Sequence, residues 1–208
     1  FFPKSLYVSF HSEYDYPIVP NDCIINYMKK NYPNNYLEKD SSRSKKPRKH
    51  DFRLFFESYA NIPRRSIIKM VRTLFPVKVI PKASWTNGWN WYTMTLKDTK
   101  VMIEYLFNRF DIIDSLEHVL HADEIVFLSL ANGAKISYTN QFHRYVDWRT
   151  KDAHPLVFNE SHFNLIINRK CDFWARKFID GESNKVLDMV DQHIKNFDRQ
   201  KFESDCYK

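Results

Sequence analysis

The sequence predicts a single α/β domain that spans residues 1–208, and three observations support this fold class. Short segments rich in aromatic and β-branched residues alternate with longer segments of helical periodicity, which is the order of elements in α/β domains. Hydrophobic residues make up 43% of the 208 residues, enough for a core, so global disorder is excluded. No repeat and no linker divides the chain, and the basic segment 39–50 is interpreted as an excursion from one domain.

Five segments are predicted to form strands, because they combine aromatic and β-branched residues over short lengths. In chain order these segments are residues 6–10, 35–38, 52–58, 85–95 and 144–148. The fourth segment is the longest and begins with an aromatic turn. Segments of helical spacing lie between these strands, as an α/β order requires.

Six segments are predicted to form helices, most of them because apolar residues recur at spacings of three and four. In chain order they are residues 23–30, 63–75, 96–110, 123–131, 159–168 and 182–197. Asn21 and Asp22 are expected to cap the first helix, and Asn159 the fifth. Ile25 and Val101 are among the apolar side chains expected to face the core.

Glycine and cysteine usage excludes several classes of site. The three glycines stand alone, so neither a glycine-rich dinucleotide loop nor a P-loop can be built from them. The three cysteines are odd in number and widely spaced, with no C-x-x-C pair. A disulfide framework and a zinc ribbon are therefore not expected, and the cysteine pattern suits a reducing compartment.

The charge balance favours an anionic partner. The formal net charge is +7 and the isoelectric point is about 9.2. Nucleic acid, anionic lipid and a phosphorylated small molecule all fit this excess. The alternative, which charge alone favours, is a mildly basic surface that keeps the chain soluble. No apolar run approaches the ~20 residues that span a bilayer, and no signal peptide is visible.

The segment 85–92 places three tryptophans within seven residues, with Asn and Thr between them. Flat aromatic faces and amides are the groups on which a sugar ring lies, so Trp89 and Trp91 are candidate sugar-binding residues. The alternative is that one face of this strand packs in the core. Alternation in a strand puts Trp89 and Trp91 on one face and Asn90 with Tyr92 on the other.

An acidic pair opens the apolar helix predicted at 123–131. A carboxylate at a helix N-terminus stays ionised and can accept a proton at the edge of a cleft. For Asp123 a capping role is the favoured interpretation, whereas Glu124 is open to either a catalytic or a structural role.

Arg144 and Lys177 lie among aromatic and β-branched residues, where a cation needs an anionic partner. The partner is either a substrate phosphate or a carboxylate of the chain, Asp147 or Asp180. The basic residues 43–49 offer phosphate contacts too, although a solvated loop is favoured there. His118 and His121 supply two ligands, too few for a metal site, so no metal is expected.

Six segments in collinear order resemble the motifs of glycosyltransferase family 14, the core-2/I-branching β-1,6-N-acetylglucosaminyltransferases and xylosyltransferases. The resemblance covers nearly the whole chain. The segments are residues 11–17 (HSEYDYP), 34–38 (NNYLE), 88–95 (GWNWYTMT), 122–127 (ADEIVF) and 144–148 (RYVDW), followed by His154-Pro155 with 173–178 (FWARKF).

The resemblance implies a GT-A-like mixed sheet flanked by helices, of which this chain is the C-terminal two-thirds, incomplete at the N-terminus. The family needs no metal and no other cofactor, so two cations bind the UDP diphosphate, at positions that match Arg144 and Lys177. Glu124 matches the catalytic base. Glu38 matches an acceptor contact, and Asp15 is likewise expected to contact acceptor or sugar.

We therefore expect an inverting, metal-independent transferase that moves N-acetylglucosamine, or xylose as second choice, from a UDP donor to a glycan or polysaccharide hydroxyl in β-1,6 linkage. Nucleic acid is not an expected partner, and peripheral membrane association is left open. Glu13 for Gly, Ala122 for Pro and the few cysteines depart from the family and favour a bacterial-type, cytoplasmic member over a Golgi enzyme. The strands that hold uracil and ribose in the family are missing, so the chain alone is expected to be inactive.

A non-catalytic binding module is the alternative from another class. It would hold polysaccharide through Trp85, Trp89 and Trp91, or nucleic acid through residues 43–50. Steep salt dependence of DNA binding would favour nucleic acid. Stabilisation by UDP that DNA does not reproduce would favour the transferase.

Overall fold

The structure is a computed structural model that describes residues 5–39, 86–116, 123–149 and 154–207. Within these ranges the protein is a mixed α/β structure with two mixed sheets and seven α-helices. The predicted α/β class is thereby confirmed. Several predicted features lie wholly or largely outside the described residues, namely the basic segment 40–50, the strand 52–58, the helix 63–75, Trp85, His118, His121 and Ala122.

Among the described residues, four of the seven strands were predicted, and those at Tyr16–Pro17, Thr139–Asn140 and Trp174–Arg176 were missed. The strands are β1 (Tyr7–Phe10), β2 (Tyr16–Pro17), β3 (Tyr36–Lys39), β4 (Gly88–Thr95), β5 (Thr139–Asn140), β6 (Arg144–Val146) and β7 (Trp174–Arg176). The helices are α1 (Asn21–Lys30), α2 (Leu96–Phe107), α3 (Phe110–Leu116), α4 (Asp123–Gly133), α5 (Phe163–Ile167), α6 (Asn184–Lys195) and α7 (Arg199–Cys206), with a 3₁₀ turn at Glu160–His162 before α5.

The chain divides into two compact units, each built from separate segments of sequence. The first unit comprises Phe1–Phe10 and Asn35–Asn140, and the second comprises His11–Asn34 and Gln141–Lys208. The expectation of a single domain stays a prediction.

The first unit contains the longer sheet, with strand order β1-β4-β3-β5. The central strand β4 runs antiparallel to β1 and β3, and β3 runs parallel to β5. Helix α4 packs closely on β4, because a Cβ on Gly88 would lie 2.8 Å from the Leu128 side chain. The buried core of this unit consists of Leu37, Tyr92, Met94, Met102, Ile112, Leu128, Leu130, Ala131 and Ile136.

A buried amide connects three elements of the first unit. The Asn35 side chain donates to Asp98 Oδ2 at 2.7 Å and to the Ser137 carbonyl oxygen at 2.9 Å. The side-chain oxygen Oδ1 of Asn35 accepts from the Thr95 backbone N–H at 2.8 Å. Asn35 is only 3% exposed, so these bonds replace the water contacts that burial removes.

The second unit contains the shorter sheet, with strand order β2-β7-β6. Strand β7 runs antiparallel to β2 and parallel to β6. The Ser183 hydroxyl donates to the Phe158 carbonyl oxygen at 2.7 Å and fixes the start of α6. The most deeply buried apolar residues here are Phe158, Ile166, Phe173, Ala175, Val186 and Val190.

Helix α1 differs from its prediction at its start and on one face. It begins at Asn21, and Pro20 occupies the N-cap position with no side-chain capping bond, so the predicted cap is wrong. Ile25 is 51% exposed, whereas Ile24 and Tyr27 are buried. The inward stripe runs through positions 23, 24, 27 and 28, and Ile25 lies beside it.

The helix predicted at 96–110 is two helices. α2 ends at Phe107, where Asn108 closes the helix by a side-chain bond to the Glu104 carbonyl oxygen at 2.9 Å, and α3 begins at Phe110. Val101 is 38% exposed, so its predicted core position is wrong. The sequence analysis missed α7, which Asp198 caps by accepting from the Lys201 backbone N–H.

The cysteines form one bond that the sequence analysis did not expect. Cys171 and Cys206 are joined by a disulfide, with Cα atoms 5.4 Å apart, and Cys23 is a buried free thiol. Spacing along the chain does not reveal this pair, because Cys206 ends a helix that folds back onto the segment before β7. In the part of the chain that the structure describes, no helix has the length and apolar character to cross a membrane.

Candidate functional site

A buried carboxylate in the second unit holds two arginines. Asp15 Oδ1 lies 3.4 Å from Arg144 Nε and 3.8 Å from Arg176 Nη1. The side chains of Asp15 and Arg144 are 2% and 1% exposed. The Ser12 backbone N–H donates to Asp15 Oδ2 at 2.7 Å and fixes the carboxylate. In a low dielectric the attraction between such charges is strong but is offset by their lost hydration, so each charge depends on its partner.

The sheet order explains why these residues meet. Arg144 begins β6 and Arg176 ends β7, and these strands are parallel neighbours in which Arg144 is paired with Trp174. Strand β2 lies on the other side of β7, so the turn that contains Asp15 comes directly before an adjacent strand. Residues far apart in sequence therefore meet across three short strands.

Arg144 is also bound by a histidine and lies near aromatic rings. Its Nη2 donates to His11 Nδ1 at 2.8 Å, and its guanidinium carbon is 5.7 Å from the centre of the Trp174 ring. Burial, opposed in part by Asp15, lowers the pKa of Arg144 to about 10, so the side chain stays charged at neutral pH. Burial and the Arg144 charge lower the pKa of His11 to about 4. A neutral His11 is therefore the acceptor.

Lys177 adds a third cation beside the two arginines. Its Nζ lies 4.5 Å from the centre of the Tyr14 ring, and the Arg176 guanidinium carbon lies 5.7 Å from the same ring. Arg176 also donates to the Ser12 hydroxyl. We call Arg144, Arg176 and Lys177 the cation cluster. The Glu13 carboxylate also acts on Arg176. Three cations and the two carboxylates Asp15 and Glu13 leave a small positive excess, which suits an anionic ligand with several oxygens.

The two carboxylates named as alternative partners of these cations have other contacts. Asp147 Oδ2 accepts from Arg149 Nη2 at 2.6 Å and from the Tyr145 hydroxyl at 2.9 Å. Asp180 accepts from the Gly181 backbone N–H. The carboxylate that holds Arg144 is Asp15, for which the sequence analysis expected a sugar or acceptor contact.

Glu124 lies in the first unit, in the first turn of α4, and its side chain is partly buried. The adjacent Asp123 is the first helical residue rather than a cap. Its Oδ2 accepts from the Asn90 side chain at 3.0 Å, which fastens the start of α4 to β4. The position of Glu124 is therefore set by the central strand of its sheet.

Glu38 belongs to the same part of the first unit. A Cβ on Gly88 would lie 3.0 Å from the Glu38 carbonyl oxygen and 2.8 Å from the side chain of Leu128, one turn after Glu124. The β3–β4 register shifts between Leu37 and Lys39, so Glu38 sits at an irregularity of the ladder. Such irregularities re-aim side chains at the end of a strand.

The tryptophans of β4 share one face, as predicted. The rings of Trp89 and Trp91 stack with centroids 5.4 Å apart and planes 20° from parallel. Trp91 is only 4% exposed, whereas Trp89 is partly exposed. Tyr92, on the opposite face, belongs to the hydrophobic core, which confirms that at least one face is core. Trp89 is thus the ring of this pair with surface open to a ligand.

The structure gathers the predicted residues into two groups. Asp15, Arg144 and Lys177 lie together in the second unit. The remaining four, Glu38, Trp89, Trp91 and Glu124, lie in the first unit. Sequence reasoning missed His11 and Arg176 as members of the second-unit group. Arg176 lies two residues after Trp174 on one strand, and residues at that spacing share a face. Because the Trp174 ring lies near Arg144, this spacing could have placed Arg176 in the same group.

Within the described ranges, no three side chains of His, Cys, Asp or Glu are grouped so as to hold a metal ion. No protein-family model matches the chain, and no curated protein is significantly similar to it. The candidate function therefore depends on side-chain geometry and on the motif resemblance.

Proposed function

We propose that the chain belongs to an inverting, metal-independent glycosyltransferase of GT-A-like architecture that uses a UDP-sugar. N-acetylglucosamine is the proposed donor sugar, with xylose second, and a glycan hydroxyl is the acceptor, in β-1,6 linkage. The observation that carries the proposal is the cation cluster, in which Arg144 and Arg176 lie beside Asp15 and Lys177 shares the Tyr14 ring with Arg176.

In this proposal the cation cluster binds the diphosphate and stabilises its departure. Arg176, whose side chain is 16% exposed, and Lys177 are proposed to contact the phosphate oxygens directly. Arg144, 1% exposed and bonded to His11, adds its charge to the group. Breaking the bond between the sugar and the diphosphate builds negative charge on the leaving oxygen. Fixed cations that are already oriented by Asp15 stabilise that charge without rearranging.

Glu124 is proposed to take the proton of the acceptor hydroxyl. The acceptor oxygen forms a bond to C1 of the sugar, the C1–oxygen bond to the diphosphate breaks, and its electron pair leaves on the diphosphate. The acceptor proton moves to the Glu124 carboxylate. One in-line displacement needs one base and inverts the anomeric centre. Glu38 and Trp89, both partly exposed, are proposed to contact the acceptor.

A carbohydrate-binding module without catalysis is the second candidate, and the stacked Trp89–Trp91 pair favours it. It shares the sugar contact with the transferase but gives the cation cluster no role. A nucleic-acid role would involve residues 43–50, which lie outside the described residues.

Thermal stabilisation by nucleotide distinguishes these candidates. We expect UDP and inorganic diphosphate, each with EDTA present, to raise the melting temperature of the full chain, and we expect single-stranded DNA of equal charge not to do so. Lys177→Ala should reduce the rise, while Lys185→Ala, an exposed lysine in α6, should not. No rise with either anion would count against the proposal, and a rise that needs Mn²⁺ would overturn its metal-free form.

A further inference from the structure

A disulfide in the second unit connects its last helix to the strands that carry the cation cluster. Cys206 is the final residue of α7, and Cys171 lies three residues before β7. The two cysteines are 35 residues apart in sequence. The bond therefore joins the C-terminal end of the second unit to the segment that leads into Arg176 and Lys177.

On the strand side, Cys171 is bonded to the residue that precedes Arg144. The Cys171 carbonyl oxygen lies 2.7 Å from His143 Nδ1, and the Phe173 N–H donates to the His143 carbonyl oxygen at 2.8 Å. The Phe173 and His143 rings stack with centroids 4.3 Å apart. The segment 171–173 and the start of β6 thus form one packed arrangement.

Cys171 also has an unfavourable backbone conformation. Its φ of 56° lies in the left-handed region, which side chains other than glycine rarely adopt. Such a conformation persists only where surrounding contacts hold it. The disulfide is one of those contacts, so its loss would let the segment relax away from His143.

On the helix side, α7 is too short to be stable alone. An isolated helix of eight residues does not form in water, so α7 depends on what it touches. Phe202 is 7% exposed and its ring lies 6.0 Å from that of Phe173. Arg199 pairs with Asp22 at 2.9 Å, but both side chains are about half exposed, so the pair contributes little.

A small reductant has a path to the disulfide. A cavity of about 310 Å³ is lined by both half-cystines together with Lys170, Lys201 and Phe202. Lys170 is 75% exposed and pairs with Asp205, the neighbour of Cys206, at 3.8 Å. Both half-cystines are partly exposed, which leaves the sulfur atoms within reach of a small thiol.

We propose that the Cys171–Cys206 disulfide is a redox latch that holds α7 on the segment 171–173 and thereby keeps the cation cluster in its diphosphate-binding arrangement. A thiolate of a dithiol reductant attacks one sulfur and forms a mixed disulfide, and the other sulfur leaves as a thiolate. The second thiol of the reductant closes its own disulfide, so two electrons and two protons reach the two cysteines. The effect on diphosphate binding rests on the proposed function, whereas the release of α7 does not.

Limited trypsin digestion of the full chain tests the release of α7. We expect cleavage after Arg199 and Lys201, followed by mass spectrometry, to be about tenfold faster in the reduced protein than in the oxidised one, since it tracks the population of the opened helix. A Cys171→Ser, Cys206→Ser double variant should behave like the reduced protein under both conditions. Cys23→Ser, the matched control, should keep the difference. Equal cleavage rates in the two redox states would overturn the latch.

Calorimetric titration with UDP in the presence of EDTA tests the link to the cation cluster. We expect the reduced protein to bind UDP about tenfold more weakly than the oxidised protein, a common size for coupling between two sites. Equal affinities in both states would overturn the latch while leaving the proposed function intact. If the oxidised protein binds neither UDP nor inorganic diphosphate, the proposed function fails, and the link to diphosphate binding fails with it.

Discussion

Each unit of the molecule contains a buried polar side chain at the centre of a network of contacts, and the two networks differ in charge. In the first unit, Asn35 is 3% exposed and makes three hydrogen bonds of 2.7 to 2.9 Å. In the second unit, the Asp15 side chain is 2% exposed and faces Arg144 and Arg176 at 3.4 and 3.8 Å. The amide network is satisfied by its own unit, whereas the cation cluster exceeds the two nearby carboxylates, Asp15 and Glu13, by one charge.

This difference indicates which buried network serves the fold alone and which can also bind a ligand. A neutral amide whose partners are all protein groups stabilises the fold and gains nothing from a ligand. A group of three cations and two carboxylates retains a small positive charge, and an anion that neutralises it adds stability. We therefore expect changes at Asn35 to alter stability alone, and changes in the cation cluster to alter both stability and anion binding.

The largest effect on activity is expected from Glu124→Gln. This variant tests whether the first unit takes part in transfer while the second unit binds the diphosphate. The amide has nearly the same shape but cannot take a proton, so transfer should fall by about 10²- to 10⁴-fold, the usual contribution of a general base. UDP affinity should stay near that of the wild type, because the proposed diphosphate ligands lie in the second unit. Sugar transfer from UDP-N-acetylglucosamine, assayed in a protein that also carries uracil- and ribose-binding strands, measures the first quantity, and calorimetry with UDP measures the second.

Asp123→Asn is the matched control for that change. It removes a neighbouring negative charge from the same helix turn and can keep the contact with Asn90. Transfer should fall only slightly. Equal losses of transfer in the two variants, or a parallel loss of UDP affinity in Glu124→Gln, would count against Glu124 as the base.

Asp15→Asn is expected to have the next largest effect, because it leaves two buried guanidinium groups without their carboxylate. Removing one partner of a buried ion pair costs about 3–5 kcal/mol of unfolding free energy. Inorganic diphosphate should restore more stability to this variant than it adds to the wild type, since the anion replaces the lost charge. Denaturant unfolding with and without diphosphate measures both effects.

Asp147→Asn serves as the control in the same sheet. Asp147 is also buried, and its pKa is held at about 2, chiefly by the hydrogen bond from Arg149. The Arg149 side chain is 66% exposed and can return to solvent when the carboxylate is lost. The destabilisation should therefore be smaller and diphosphate should not reverse it. A similar rescue in both variants would mean that the charge of Asp15 has no special relation to anions.

The longer elements could be predicted from the sequence, because they follow local patterns, whereas two of the three strands of the second sheet, β2 and β7, were missed. The central strand at 85–95 and the helix at 182–197 were predicted within two or three residues of β4 and α6. Ile25 shows where local patterns fail. It is as apolar as a core residue, but it lies beside the buried stripe of its helix and is therefore exposed. The disulfide shows the second failure, since pairing depends on where α7 folds.

The candidate site was predictable only in part. Motif resemblance pointed to Arg144 and Lys177, and the structure groups them. It did not reveal that Asp15 is the carboxylate between the arginines, because that contact needs the order β2-β7-β6, in which the first strand comes from a distant part of the sequence. Partners set by sheet order cannot be read from spacing along the chain.

A third prediction concerns the pH dependence of the second unit. Burial lowers the pKa of His143 to about 4, against 6.5 when unfolded, although its bond to the Cys171 carbonyl oxygen opposes the shift. The unfolded chain therefore binds more protons between these values, so stability is full above pH 6.5 and falls as pH drops toward 4. The loss from this group approaches about 3 kcal/mol. Denaturant unfolding at several pH values measures it.

His143→Asn isolates this contribution, since Asn tolerates the φ of 50° at this position and does not titrate. The variant should be less stable at pH 7 but should lose less stability between pH 6.5 and 4. His11 also has a lowered pKa and titrates in the same window, so His11→Gln is measured alongside. An unchanged pH slope in His143→Asn would show that its burial does not suppress protonation.

A fourth prediction sharpens the contrast between the two buried networks. Asn35→Ala leaves the Thr95 N–H and the Ser137 carbonyl oxygen without the bonds that Asn35 makes, which should lower the unfolding free energy by about 2 kcal/mol. UDP affinity should not change, because all these groups belong to the first unit. Denaturant unfolding and calorimetry check the two statements, and a loss of UDP affinity at matched folded fraction would contradict the contrast.

The smallest expected effect is that of Ile25→Ala, which tests the corrected face of α1. Ile25 is 51% exposed, so truncation removes little buried surface, and alanine favours the helix slightly more than isoleucine does. The unfolding free energy should change by less than about 0.5 kcal/mol. Ile24→Ala is the matched neighbour, 9% exposed, and should cost about 2 kcal/mol or more. Denaturant unfolding of the two variants compares them directly, and equal losses would mean that α1 packs on the face that the sequence first suggested.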